Sequence, residues 1–317
     1  MKKRFQIFLN LLFAVAAYGF LAYKLLSFEH YDILFDTLRL FEVRQFAWLF
    51  AVVLLLVPNL VLEAYKWQLL VRKTEKKSLK EALKSITAGI YTGFFTPNRI
   101  GDMAGRLLYF APENRRQGIV LSIVSGLTTN LTVLVAGIPA LAIFLLITSK
   151  TLINNKIIYF SAAGCLTVLL LIFYFLIPKT GKKISESSKF PKIKLFFSHL
   201  QNFGTADLFA IFCVSMARYF VFCIQFYCML RFFGVDISII HSLAGICSNY
   251  LLITFTPSFS FSEAAVRGSY AVIVFGSFGV DEVLCAVTGI SIWLINTMIP
   301  VIFGSFFVLK KKMKRIL

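Results

Sequence analysis

The chain has 317 residues, 58% of them hydrophobic and only 15% charged, with 35 phenylalanines. Soluble domains are typically about 45–50% apolar and about 25% charged, so the composition excludes an ordinary soluble enzyme and points to a polytopic membrane protein with a single membrane domain, residues 1–317. The net charge of +18 does not call for nucleic acid, because the positives fall in loops between apolar runs, where they set membrane orientation.

Taken in order, Met1-Lys2-Lys3-Arg4 precedes an apolar run over residues 5–26. Ala14-Val15-Ala16 resembles a signal-peptide cleavage site, but the run is long enough to span and is read as an uncleaved first helix. An acidic stretch, 27–43, leads to a second span over 44–65 that contains Pro58. Residues 66–84 are rich in lysine, and their middle, 69–83, fits an amphipathic segment lying on an anionic surface. The apolar pieces 85–95 and 107–110 are too short to cross a core of about 30 Å at about 1.5 Å per residue. They form a hairpin, residues 85–110, that enters from the cytoplasm and turns at 96–101. Spans follow at 119–147 and 157–177, then a polar loop over 178–204, the longest in the chain and too short for a soluble catalytic domain. A span at 206–230 carries Arg218 and Gln225. A second hairpin covers 239–278, and a last span over 282–309 ends in a basic tail.

Most lysines and arginines fall on the inner segments; the outer ones hold Arg39, Arg44, Lys150, Lys156 and Arg231. The positive-inside rule then places both termini in the cytoplasm. The expected fold is all-α, with about six full transmembrane helices plus two inverted re-entrant hairpins. The first half spans 5–177 and the second 205–310.

Two stretches interrupt this lipid-adapted pattern. Thr96-Pro97-Asn98-Arg99-Ile100-Gly101-Asp102 runs on to Arg106. Thr256-Pro257-Ser258-Phe259-Ser260-Phe261-Ser262-Glu263 runs on to Arg267. Each has Thr-Pro, a short non-helical run, an acid, and an arginine four residues later. Broken helices at membrane depth persist only where the freed backbone is buried in protein or lines a wet cavity. Transporters place such breaks at midplane binding sites between inverted repeats. Asp102 and Glu263, in first helical turns, are spaced to hold Arg106 and Arg267 on their own helices.

Arg99, Arg106, Arg218 and Arg267 against Asp102 and Glu263 leave two surplus positive charges. A buried charge costs about 2.5–3.5 kcal/mol on insertion scales, and a surplus of cations suits a phosphate, which arginine binds in bidentate fashion. These six residues are the candidate substrate-binding set. The plainer alternative makes both acid–arginine pairs structural clamps. Arg218 pairs with Asp102 or Glu263 on that view, Glu63 sits near the inner interface beside Lys66, Lys24 snorkels to the surface, and Asn130, Asn249 and Asn296 hold helices together. The six cysteines lie in apolar stretches without a Cys-x-x-Cys pair, and His30, His199 and His241 are scattered. No catalytic residue, metal or cofactor is expected.

Pro97-Asn98-Arg99-Ile100-Gly101-Asp102 with Arg106 resembles the Pro-x-Arg-x-Gly-acid motif of the lysylphosphatidylglycerol synthase transmembrane-region family, a group of flippase-like membrane domains. Lys66-Trp67-Gln68-Leu69-Leu70 resembles its basic-Trp-x-Leu-Leu element, and Pro257 through Glu263 and Arg267 its second Pro-rich, acid-bearing motif. The resemblance covers nearly the whole chain. This chain departs from it in the four-residue spacing of Asp102 and Arg106, and in Ser258-Phe259-Ser260-Phe261-Ser262, where many members carry glycines.

The resemblance implies a bacterial inner-membrane protein related to the flippase domain of the multiple peptide resistance factor, without that protein's soluble aminoacyl-transferase domain. The expected function is movement of an anionic phospholipid or lipid-linked precursor across the cytoplasmic membrane, not enzymatic catalysis. Arg99, Arg106 and Arg267 would contact the phosphate, Asp102 and Glu263 would orient them, and the hairpins would gate alternately. The alternative is a non-catalytic membrane partner subunit of a lipid- or glycolipid-modifying enzyme.

Overall fold

The computed structural model describes residues 43–96, 99–148, 156–187, 203–257 and 260–316. Among them are nine α-helices and no strand: α1 Val43–Val71, α2 Leu79–Phe94, α3 Gly101–Leu107, α4 Arg115–Thr148 after a 3-10 turn at Pro112–Asn114, α5 Lys156–Ser187, α6 Thr205–Phe232, α7 Ile239–Phe255, α8 Ser260–Gly276 and α9 Glu282–Ile316. Five helical segments are long and apolar enough to cross a membrane: Val43–Val71, Pro112–Thr148, Ile157–Lys179, Thr205–Phe232 and Glu282–Lys310. They match the second to sixth expected spans. The first, at 5–26, lies outside the described residues, as do Lys24, His30 and His199.

Both hairpins form. In the first, α2 has 16 residues and α3 has seven. At about 1.5 Å per residue α2 reaches about 24 Å, short of a bilayer core. The arms of the second, α7 and α8, have 17 residues each. The hairpin turn at Arg99 takes φ +54°, the left-handed region that side-chain-bearing residues enter only at a cost.

Two sequence expectations need correction here. The supposed surface helix over 69–83 is two helices with a turn between them. The first ends at Val71, and Ser78 caps the second: its hydroxyl accepts from the Glu81 N–H while the Glu81 carboxylate accepts from the Ser78 N–H. That reciprocal cap begins α2 afresh, so the arm of the first hairpin starts at Leu79 and not at 85. The loop expected from 178 is shorter as well, because α5 carries Pro178 within it and runs on to Ser187.

The halves interlock by exchange. The longest shared face joins α1 to α6. The α4 helix, which follows the first hairpin, packs on α7 of the second; α9, which follows the second, packs on α2 of the first. Small residues permit both crossings. A Cβ on Gly304 would lie 2.1 Å from the Thr87 carbonyl oxygen of α2, and one on Gly137 2.8 Å from Leu251 of α7.

Burial divides into two apolar clusters with a polar layer between them. One holds Val52 and Leu56 of α1, Val133 of α4, and Tyr219, Cys223 and Phe226 of α6 with much of α7–α9. The other holds Ala64, Trp67 and Leu70 of α1, Leu121 and Val124 of α4, and Leu208 and Ile211 of α6. The helices α1, α4 and α6 contribute to both clusters, and buried polar residues lie between their two contributions: Asn59 and Glu63 on α1, Thr132 on α4, Ser215 on α6.

Candidate functional site

The polar layer opens into a cavity of about 390 Å³ that both hairpins border. On α1, Asn59, Glu63, Lys66 and Trp67 recur at helical spacing and so share one face. All four are nearly or fully buried. Glu63 is 3% exposed and is the hub. Its carboxylate takes Lys66 Nζ at 2.7 Å and Arg218 Nη1 at 2.7 Å. It also takes Arg106 Nη2 at 3.1 Å. Glu63 does lie beside Lys66, buried within the helix bundle, and Arg218 pairs with neither Asp102 nor Glu263. Arg218 instead donates through Nε to Asn59 Oδ1 at 2.8 Å. Three cations around one carboxylate explain the placement, since a buried charge at this depth needs a partner.

Arg106 keeps the expected bond to Asp102, with Nε to Oδ2 at 2.7 Å. Its guanidinium lies 5.1 Å over the Trp67 ring, a cation–π contact. Trp67 donates to Ser85 Oγ, which donates to the Arg106 carbonyl, tying α1, α2 and α3 together. The hairpin turn is built from threonines: Thr96 Oγ1 accepts from the Gly101 N–H, and Thr92 Oγ1 donates to the Gly101 carbonyl. A Cβ on Gly105 would lie 2.1 Å from Thr92 Oγ1 and 2.3 Å from the Ala88 carbonyl oxygen, so only glycine lets α3 close on α2.

The second break departs from its expected pairing. Glu263 does not hold Arg267. Its carboxylate takes Arg99 of the other hairpin, Nε to Oε1 at 2.8 Å and Nη2 to Oε2 at 2.5 Å, and Trp293 Nε1 at 3.0 Å. The parallel two-bond geometry outcompetes the local i,i+4 contact. Among the described residues Arg267 has no ion pair, and its Nε is buried without a hydrogen-bond partner. Arg106 Nη1 is orphaned in the same way.

The structure thus brings Arg99, Asp102, Arg106, Arg218 and Arg267 to the wall of one cavity, with Glu263 bonded to Arg99 at its edge. It adds Glu63 and Lys66, which the sequence reading left out of the set. Five cations now face three carboxylates, and the surplus remains two. The signal for Glu63 was its spacing: four residues from Asn59 and three from Lys66 within an apolar span. Of the asparagines, Asn296 does link helices, donating to Gln225 Oε1 and accepting from Asn59. Asn130 is exposed on the cavity wall instead. Asn249 is fully buried with neither side-chain polar atom bonded. Among the described residues no group of three or more His, Cys, Asp or Glu is placed to hold a metal.

The family model described as lysylphosphatidylglycerol synthase TM region matches residues 7–304. No curated protein and no solved structure matches the chain.

Proposed function

The chain belongs to the lysylphosphatidylglycerol synthase TM-region family, and on that footing we propose that it moves an anionic phospholipid or lipid-linked precursor between the leaflets of the bacterial inner membrane. It is a multi-pass membrane protein with five described spans. In this reading both termini are cytoplasmic, the two halves are inverted repeats, and the protein is a carrier and not an enzyme.

One observation carries the proposal. The cavity between the hairpins keeps two positive charges in surplus and leaves Arg106 Nη1 and Arg267 Nε without acceptors. An orphaned buried donor is expensive, about 1–3 kcal/mol and more when charged. A phosphate supplies both the missing charge and the missing acceptors, while the acyl chains stay in lipid. The exchanged packing of α4 on α7 and α9 on α2 supports a repeat-swapped carrier, in which one half rocks against the other around a fixed site. The Arg99–Glu263 pair ties one hairpin to the other and would part as the cavity changes its open side.

The test is leaflet exchange of labelled phosphatidylglycerol in liposomes containing the purified protein. Wild type accelerates exchange, and Arg106→Ala and Glu263→Ala abolish the acceleration. A folded wild type that exchanges no anionic lipid contradicts the proposal and favours a partner subunit that co-purifies with a lipid-modifying enzyme.

A further inference from the structure

We propose that the cationic cavity continues into a hydroxyl-lined compartment that receives an uncharged polyhydroxylated group, so that the preferred ligand is a polyol phosphate ester and not an aminoacylated one. The inference rests on the anionic-lipid reading of the main cavity and adds the chemistry of the head group.

The compartment, of about 240 Å³, shares Arg99, Arg218 and Arg267 with the main cavity. Beyond the cations its polar wall is hydroxyl: Thr129, Thr132, Ser215, Tyr219 and Thr254. Ser215 is 5% exposed, and its Oγ has no hydrogen-bond partner. Thr132 donates its proton to the Thr128 carbonyl, which leaves its lone pairs to accept. Hydroxyls donate and accept, so a wall of them complements a ligand whose own groups are hydroxyls. Phe222 and Tyr250, which also line the space, offer ring surface to the C–H face of a cyclic polyol.

Charge sets the discrimination. The compartment's lining includes Lys66 and the three arginines and no aspartate or glutamate. An ammonium, such as that of a lysyl or alanyl ester, would meet Arg267 without a carboxylate paired to it among the described residues, while Glu63 and Glu263 are already bonded to Lys66, Arg218 and Arg99. An uncompensated like charge within several ångströms lowers affinity on the order of ten-fold at the effective dielectric of protein sites. A neutral polyol escapes that penalty and gains hydrogen bonds worth several-fold each.

The test is thermal stabilisation of the purified full chain in detergent, titrated separately with phosphatidylinositol, phosphatidic acid and lysylphosphatidylglycerol. Phosphatidylinositol should half-saturate at about ten-fold lower concentration than phosphatidic acid, and lysylphosphatidylglycerol at a higher one than either. Ser215→Ala combined with Thr254→Val should bring phosphatidylinositol to the level of phosphatidic acid without moving the latter, which also shows that the variant is folded. Soluble glycerophosphoinositol competing as well as the intact lipid would keep the polyol phosphate chemistry and remove the lipid tail from it. Equal half-saturation by phosphatidylinositol and phosphatidic acid in wild type overturns the inference and leaves the anionic-lipid reading standing, as does tighter binding of the lysyl ester. No stabilisation by phosphatidylinositol or phosphatidic acid removes both.

Discussion

Arg99 and Glu263 lie 164 positions apart in sequence and meet in a two-bond ion pair that joins the tips of the two hairpins. Arg99 holds its left-handed backbone, φ +54°, in that contact. Its side chain is 40% exposed to the cavity, so the pair is worth less than a fully buried one, about 1 kcal/mol. A double-mutant cycle with Arg99→Ala and Glu263→Gln, read by unfolding in detergent, should show coupling of about that size. Arg99→Lys should lose most of it, because an ammonium cannot make the parallel pair of bonds. Additive effects of the two single changes would show that the hairpins are not coupled here.

Glu63 gathers Lys66, Arg106 and Arg218, and its removal strands three cations. Glu63→Gln should destabilise by about 3–5 kcal/mol, the range for breaking one side of a buried pair. Glu63→Asp should cost less. Adding Arg218→Gln to Glu63→Gln should restore part of the loss, since it removes one stranded charge. Thermal unfolding of the four proteins checks this order.

Five of the expected spans and the two helix pairs α2–α3 and α7–α8 were legible in the sequence because apolar length and helix breaks are local signals. The pairing of the charges was not. Asp102 and Arg106 pair as their i,i+4 spacing suggests, but the same spacing misled for Glu263 and Arg267. There a geometrically better partner, Arg99, arrives from the other half of the chain. Glu63 was underrated because its nearest charge in sequence, Lys66, made it look like part of the basic boundary that follows. Only tertiary packing reveals that this stripe of α1 lies between two apolar clusters. Ser78 and Glu81, by contrast, carried a readable helix start that the wider amphipathic pattern obscured.

That start yields a prediction of its own. The backbone N–H and hydroxyl of Ser78 hold the Glu81 carboxyl below its usual range. A depressed folded-state value means the contribution is present at neutral pH and is lost as pH falls through that value. Ser78→Ala should cost about 1 kcal/mol at pH 7, and the difference from wild type should shrink under acid conditions. A cost that does not change with pH would show that the reciprocal cap does not form.

Glycine packing separates structure from function. Gly105→Val would drive a side chain into Thr92 and the Ala88 carbonyl and should force α3 off α2, lowering both the unfolding temperature and leaflet exchange. Gly164→Ala on α5, where an added Cβ meets nothing within 4 Å, should leave both unchanged or gain slightly from better helix propensity. Equal effects of the two would contradict the close hairpin.

Surplus positive charge in the cavity should select an anionic head group. The most direct measurement is the ratio of phosphatidylglycerol to phosphatidylcholine exchange in liposomes, for wild type and Arg267→Gln. Arg267 is the residue to change because it makes no ion pair among the described residues, and Glu263 keeps its bonds to Arg99 without it. In the variant, phosphatidylglycerol exchange should fall by ten-fold or more while phosphatidylcholine exchange stays at its low wild-type rate. An unchanged ratio, with both lipids slowed alike or neither affected, would contradict it.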